Sequence, residues 1–166
     1  MTNEIVQVAI IMGSDSDLPV VEASFSILDD FGVKYTKNVM SAHRTPHDVM
    51  ELIKTSEEHG CKVFIAAAGM AAHLAGAVAA HSTKPVIGIP IESGGMGGID
   101  SLLSTAMMPP GVPVATVAVG KSGAKNSAIL AVQILATSDE NLAQKLVEYK
   151  QNMRSEVLEK DKKLNS

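Results

Sequence analysis

There is no tryptophan in this chain of 166 residues, and aromatic residues make up only 3% of it. Single-stranded nucleic acid is held largely by stacking bases on rings, and duplexes by basic surface. A formal net charge of −4 supplies neither, so a nucleic-acid partner is excluded. The single cysteine, Cys61, cannot close an internal disulfide. Apolar runs such as Val63 to Ala72 fall well short of the roughly 20 residues a membrane-spanning helix needs. No charged-then-apolar leader opens the chain, and the expected place of work is the cytoplasm, away from membranes. Charge is also sparse, at 19%, against 46% hydrophobic residues, which excludes a disordered chain.

What is present is an alternation. Five apolar runs take turns with helical patterns: Val8 to Met12, Tyr35 to Met40, Val63 to Ala67, Val86 to Ile89 and Val114 to Val119. Short continuous apolar runs mark strands buried on both faces. Between them, Leu18 to Phe31 carries Val21, Phe25, Leu28 and Phe31 at helical spacing, with Pro19 early and Gly32 placed to end it. Pro46 opens a second helix with Val49, Met50 and Ile53 inward, stopped by Gly60. A small-residue helix runs to about His81, a short one starts at Asp100, and another covers Asn126 to Thr137. Strand and helix repeated without hairpin signals give an α/β fold with a central parallel sheet wrapped on both faces. The expected architecture is a single-domain, flavodoxin-like three-layer sandwich over 1–166, with a core at about 5–137.

A long C-terminal helical arm is expected over about 139–164. Its stripe of Leu142, Leu146, Tyr149, Met153 and Val157 is longer than so small a domain needs. The alanine-rich stretches Ala71 to Ala80 and Ala128 to Ala136 have little polar surface, and one domain has little room to bury both. These features point to a homo-oligomer.

Ligands of open parallel sheets sit at the carboxyl ends of the strands. Here those ends carry Gly13 to Asp17, Ser41 to Thr45, Ala68 to His73, Ser93 to Gly98 and Gly120 to Gly123. His43 can exchange a proton near neutral pH, and Arg44 can grip a phosphate or carboxylate through two parallel hydrogen bonds. Ser14 and Ser16 precede a helix, where backbone amides favour phosphate. Asp15 and Asp17 would repel that phosphate, so one caps the helix while Asp17 takes sugar hydroxyls. His73 begins a helix at a strand end and can line the same cleft, whereas His59 and His81 read as structural. No cluster has metal-ligand spacing, so neither metal nor cofactor is expected. Gly120-Lys121-Ser122 resembles the end of a P-loop, but Ala115 stands where its first glycine belongs. Gly94 to Gly98 reads as a mobile lid or a plain surface loop.

The motifs Met12-Gly-Ser-Asp-Ser-Asp17, Ser41-Ala-His-Arg-Thr-Pro46, Ala71-Ala-His-Leu74, Asp100-Ser-Leu102 and Met108-Pro-Pro-Gly-Val-Pro-Val114 stand in one order along the chain. That set closely resembles the N5-carboxyaminoimidazole ribonucleotide mutase family of purine biosynthesis, and continues through Gly120 to Ala124 and Val132 to Leu135. The resemblance implies a flavodoxin-like subunit assembled as an octamer, with active sites shared between neighbours. It also implies an isomerase that moves a carboxyl group from the exocyclic nitrogen to carbon 4 of an aminoimidazole ribonucleotide, without cofactor. His43 would be its general acid and base. Gly13, Ser14, Ser16, Asp17, Ser41, Ala42, Arg44, Ala68, Gly69, His73 and Leu74 would surround the substrate. A sister branch carboxylates the ribonucleotide with CO2 directly, and there the opening motif tends to read histidine-lysine-glycine-proline; Arg44-Thr45 looks like the mutase branch. Met70 and Ala75 depart from the family pattern, which has glycine and proline there. A non-catalytic flavodoxin-like nucleotide binder would share the fold, and a phosphoacceptor domain would need an aspartate where Ala67-Ala68-Gly69 ends the third strand.

Overall fold

The computed structural model describes residues 5–166. Its elements run β1 (Val8–Met12), α1 (Leu18–Phe31), β2 (Tyr35–Val39), α2 (Pro46–Glu58), β3 (Val63–Gly69), α3 (Leu74–His81), β4 (Val86–Ile91), α4 (Ile99–Ala106), β5 (Ala115–Thr116), α5 (Lys121–Ala136) and α6 (Glu140–Leu164). A single 3-10 turn, Asp15–Asp17, joins β1 to α1. The sheet is wholly parallel in the order β2-β1-β3-β4-β5, the flavodoxin-like arrangement.

Side-chain alternation along the strands divides the core into two layers. Val8, Ile10 and Met12 of β1, Val63, Ile65 and Ala67 of β3, and Ile87, Ile89 and Ile91 of β4 pack against α1, α5 and the start of α6. Ala9, Ile11, Phe64 and Ala66 face the opposite way, toward α2 and α3. Both layers exclude water, so all five positions of β1 are buried. β2 lies at the sheet edge and has no fully buried residue, which its polar sequence Tyr-Thr-Lys-Asn-Val allows. Small residues let α1 and α5 approach closely: Ser24 and Ser127 are fully buried, and each hydroxyl donates to a carbonyl of its own helix. Gly32 ends α1 in the left-handed region at φ 74°, and Lys145 of α6 donates to the carbonyl of Phe31 at 2.9 Å.

Three expectations need correction. Met50 is 45% exposed rather than inward, because Val49 and Ile53, four residues apart, already fill the buried stripe of α2. The fifth strand pairs only through Ala115–Thr116 rather than Val114 to Val119. Correspondingly, α5 begins at Lys121 instead of Asn126, so Gly120 to Gly123 is its first turn and not a strand-ending loop. Gly123 is buried there against the Ala118 carbonyl, a contact that a Cβ would prevent.

The α5 stretch Ala128 to Ala136 is buried on one face only, at Ala128, Ala131, Val132 and Leu135, with Gln133 exposed, and in α3 Gly76, Ala77 and Ala79 are half-buried and Ala80 is exposed. The stripe of α6 is likewise covered only at its start. Leu142 is buried and Tyr149 meets Phe31 with ring centroids 5.7 Å apart, while residues 150–166 are exposed throughout. Among the described residues, no helix is long and apolar enough to cross a membrane.

Candidate active site

The chain enters the sheet at β1, goes outward to β2, then returns to β3 on the other side of β1. That reversal opens a crevice above the carboxyl ends of β1 and β3, where open parallel sheets take their ligands. Here the crevice is a cavity of about 440 Å3. All twelve residues that the sequence points to border it: Gly13, Ser14, Ser16 and Asp17 after β1, Ser41 to Arg44 after β2, and Ala68, Gly69, His73 and Leu74 at and beyond the end of β3.

The first wall is a capped turn. Ser14 Oγ accepts from the Ser16 amide at 3.3 Å, and Asp17 Oδ2 accepts the Ser14 amide at 3.2 Å. The capping residue is thus Ser14, with Asp17 completing the box from the third position, while Asp15 is exposed and accepts from the Ser14 hydroxyl at 3.2 Å. Burial pushes the Asp17 carboxyl above the usual aspartate value, and the neighbouring Asp15 charge adds to this; hydrogen bonds from the Ser14 and Gly13 amides act against it.

The second wall is a tight loop held by its own hydroxyls. Ser41 Oγ accepts from the amides of His43 and Arg44 at 3.3 and 3.2 Å, and Thr45 Oγ1 accepts from the Ser41 amide at 3.0 Å. These bonds fix the backbone beneath His43 and leave its ring exposed to the cavity. Arg44 reaches across the crevice and donates from Nη2 to the Gly13 carbonyl at 3.0 Å. Its remaining guanidinium donors lie beside the Ser14 turn, arranged for an anion.

The third wall comes from β3. His73 stands just before α3 and meets His43 edge to face, with ring centroids 5.4 Å apart. Below them the lining is small: Ala68, Gly69 and Ala71. Gly69 is required by close approach, since a Cβ there would run into the Ser93 side chain.

Met70, Ala71 and Ser93 also border the cavity. Ala71 sits in the same loop as two residues the sequence does single out. Ser93, within the strand-end segment Ser93 to Gly98 that the sequence marks out, is brought over Gly69 by the pairing of β3 with β4. The glycine-rich loop expected as a lid borders the cavity through Ser93 alone. His59 and His81 lie elsewhere, their Nδ1 atoms 2.6 and 2.8 Å from the carbonyls of Thr55 and Ala77. Cys61 is buried, its thiol donates to the Val63 carbonyl, and burial raises its pKa, so it is no nucleophile. Among the described residues, no group of three potential metal ligands comes together.

Comparison with known proteins identifies the family and the fold. The AIR carboxylase family profile matches residues 7–156. A Bacillus subtilis protein named N5-carboxyaminoimidazole ribonucleotide mutase is 52% identical over 157 residues, covering 95% of this chain and 97% of its own. A Methanocaldococcus jannaschii protein of the same name is 50% identical, covering 95% and 96%. The crystal structure of Treponema denticola PurE superposes with a TM-score of 0.88 at 31% identity, over 96% of this chain and 99% of that one. A match over nearly the full length, on the same parallel sheet, establishes that the chain belongs to the AIR carboxylase family.

Proposed function

We propose that the protein is an N5-carboxyaminoimidazole ribonucleotide mutase, an isomerase of purine biosynthesis working in the cytoplasm. The observation that carries this reading is the placement of His43 beside Arg44 over a single cavity. A proton carrier stands next to an anion clamp, above a floor of small apolar residues. Relatives bearing the mutase name at about half identity support it.

The substrate phosphate lies between Arg44 and the hydroxyls of Ser14 and Ser16, and Asp17 accepts from the sugar. This grip on a part that does not react orients the imidazole. As the bond between the exocyclic nitrogen and the carboxyl carbon breaks, CO2 leaves and protonated His43 gives its proton to that nitrogen. The CO2 rests against Ala68, Gly69 and Ala71. Carbon 4 attacks it, and neutral His43 removes the proton from carbon 4. One proton is given and one taken, so the reaction is a pure isomerisation that needs neither cofactor nor metal.

Assembly into a homo-oligomer, read as an octamer, accompanies this proposal. Ile99, Leu103 and Met107 recur at four-residue spacing along and just past α4, each more than half exposed; Met153, Val157 and Leu158 are exposed on α6. Stripes of this kind suit burial against further copies.

Incubation of the purified protein with N5-carboxyaminoimidazole ribonucleotide should yield the carbon-4 isomer without ATP or added bicarbonate. Turnover of aminoimidazole ribonucleotide only when bicarbonate is supplied would replace this reading with direct carboxylation. No turnover of either compound would leave a nucleotide-binding module.

A further inference from the structure

Among the described residues, Met70 is the one non-glycine residue with positive φ, at 53°. L-residues reach this region only at a cost in backbone energy, and such conformations persist where the surrounding structure imposes them. The source of the constraint is visible on both sides. Gly69 is the last residue of β3 and is pinned against Ser93; three residues on, the Ala72 amide donates back to the Met70 carbonyl at 2.8 Å. Between these fixed points the chain turns left-handed, and the methionine side chain is carried to the rim of the cavity, 61% exposed.

The composition of the cavity makes this side chain stand out. Its apolar lining consists of Ala42, Ala68, Ala71, Leu74 and Met70; of the two large members, Leu74 is buried at 2% exposure as part of the α3 core. Met70 is therefore the one long apolar side chain free to move over the opening. Its unbranched chain has three rotatable bonds and adapts to irregular surfaces. Small, neutral CO2 offers no charge to hold, so its retention depends on excluding water and closing the exit.

Resting on the mutase reading above, we propose that Met70 is a hydrophobic cover over the reacting end of the site. It folds onto bound substrate and holds CO2 between its release from nitrogen and its capture by carbon 4. Met70 takes no proton and forms no bond; it is a positioning residue that acts on an intermediate's escape.

The test is turnover of unlabelled N5-carboxyaminoimidazole ribonucleotide in buffer enriched in 13C-bicarbonate, comparing the wild type with Met70→Ala, Met70→Leu and Met70→Gly. Label in the product, together with free aminoimidazole ribonucleotide, measures escape of CO2. Escape should rise at least fivefold in the alanine and glycine variants and stay within twofold of wild type in the leucine variant. KM should change little, because the phosphate grip is untouched. Turnover with equal escape in wild type and Met70→Ala would overturn the cover and leave the mutase reading standing. A folded alanine variant that neither decarboxylates nor rearranges the substrate would also overturn it. A wild-type protein that does not rearrange the substrate would remove the mutase reading, and the cover with it.

Discussion

Two cavities open at opposite ends of the same sheet, and the larger one has neither an arginine nor a pair of histidines. At the amino ends of the strands, about 730 Å3 is bordered by Ile5, Val6, Thr36, the later part of α2 as far as Glu58, His59 and Gly60. At the carboxyl ends, about 440 Å3 is bordered by two histidines, an arginine, a buried aspartate and four serines. Direction explains the contrast. In a parallel sheet every connecting helix points its amino end toward the carboxyl ends of the strands and its carboxyl end toward the other edge. Free amides and partial positive charge gather on one side, and helix carbonyls on the other. An anionic ribonucleotide fits the former. Volume is thus a poor guide to this site, and the polarity of the surroundings a good one.

The largest effect should come from a matched pair of histidines. His43→Asn is expected to lower kcat by about 10²–10⁴-fold, the span of general acid–base catalysis, with substrate affinity nearly retained. His59→Asn, at the other end of the sheet, should leave steady-state rates within about twofold, as distant surface changes do. Equal losses in the two variants would erase the distinction between the cavities.

Next is Arg44→Glu, which sets a negative charge beside the substrate phosphate. KM should rise about 10²-fold while kcat falls less, with the rise shrinking at high salt. A salt-independent KM would place the phosphate elsewhere.

A smaller effect is expected where the site meets the scaffold. In Gly69→Ala the new Cβ collides with the Ser93 side chain and comes within 3.2 Å of the Ile91 carbonyl. Overpacking of this kind costs about 1–3 kcal/mol, readable as a lower denaturant midpoint. Adding Ser93→Gly should recover most of that loss, and failure to recover would show that the crossing of these loops is not the cause.

The smallest effect concerns Asp17. Its pKa lies above the usual aspartate value in the fold, so the folded state binds the proton more tightly than the unfolded one does. The associated stability is present below the ordinary aspartate range and is lost as pH rises through the raised folded value. Asp17→Asn should therefore be more stable than the wild type at pH 7, with the difference vanishing in acid. Urea unfolding at several pH values would check the slope.

Much of this was readable from local patterns. β1 and β3 are continuous apolar runs because both faces are covered, and a two-sided burial leaves that signature in any order of packing. α1 is bounded by Pro19 and Gly32, residues whose backbone limits act without regard to neighbours. The groups around the cavity follow from strand ends, since topology alone brings those ends together. What was hidden depends on contacts distant in sequence. Nothing near Val117 says that regular pairing stops at Thr116, and the Val117 and Gly120 amides still donate to the Gly88 and Pro90 carbonyls of β4 while Gly123 packs on Ala118. Nothing near Met50 says that Val49 and Ile53 suffice for α2. Ser93 reaches the site through its packing on Gly69, twenty-four positions away.

The bond from Arg44 to the Gly13 carbonyl has a consequence for recognition. A long cationic side chain normally loses about 2 kcal/mol of rotamer freedom when a ligand immobilises it. Here part of that freedom has already gone when the chain folds, because the guanidinium is tethered across the crevice before any nucleotide arrives. The empty enzyme thus carries a half-built receptor, and the phosphate completes it without having to organise it.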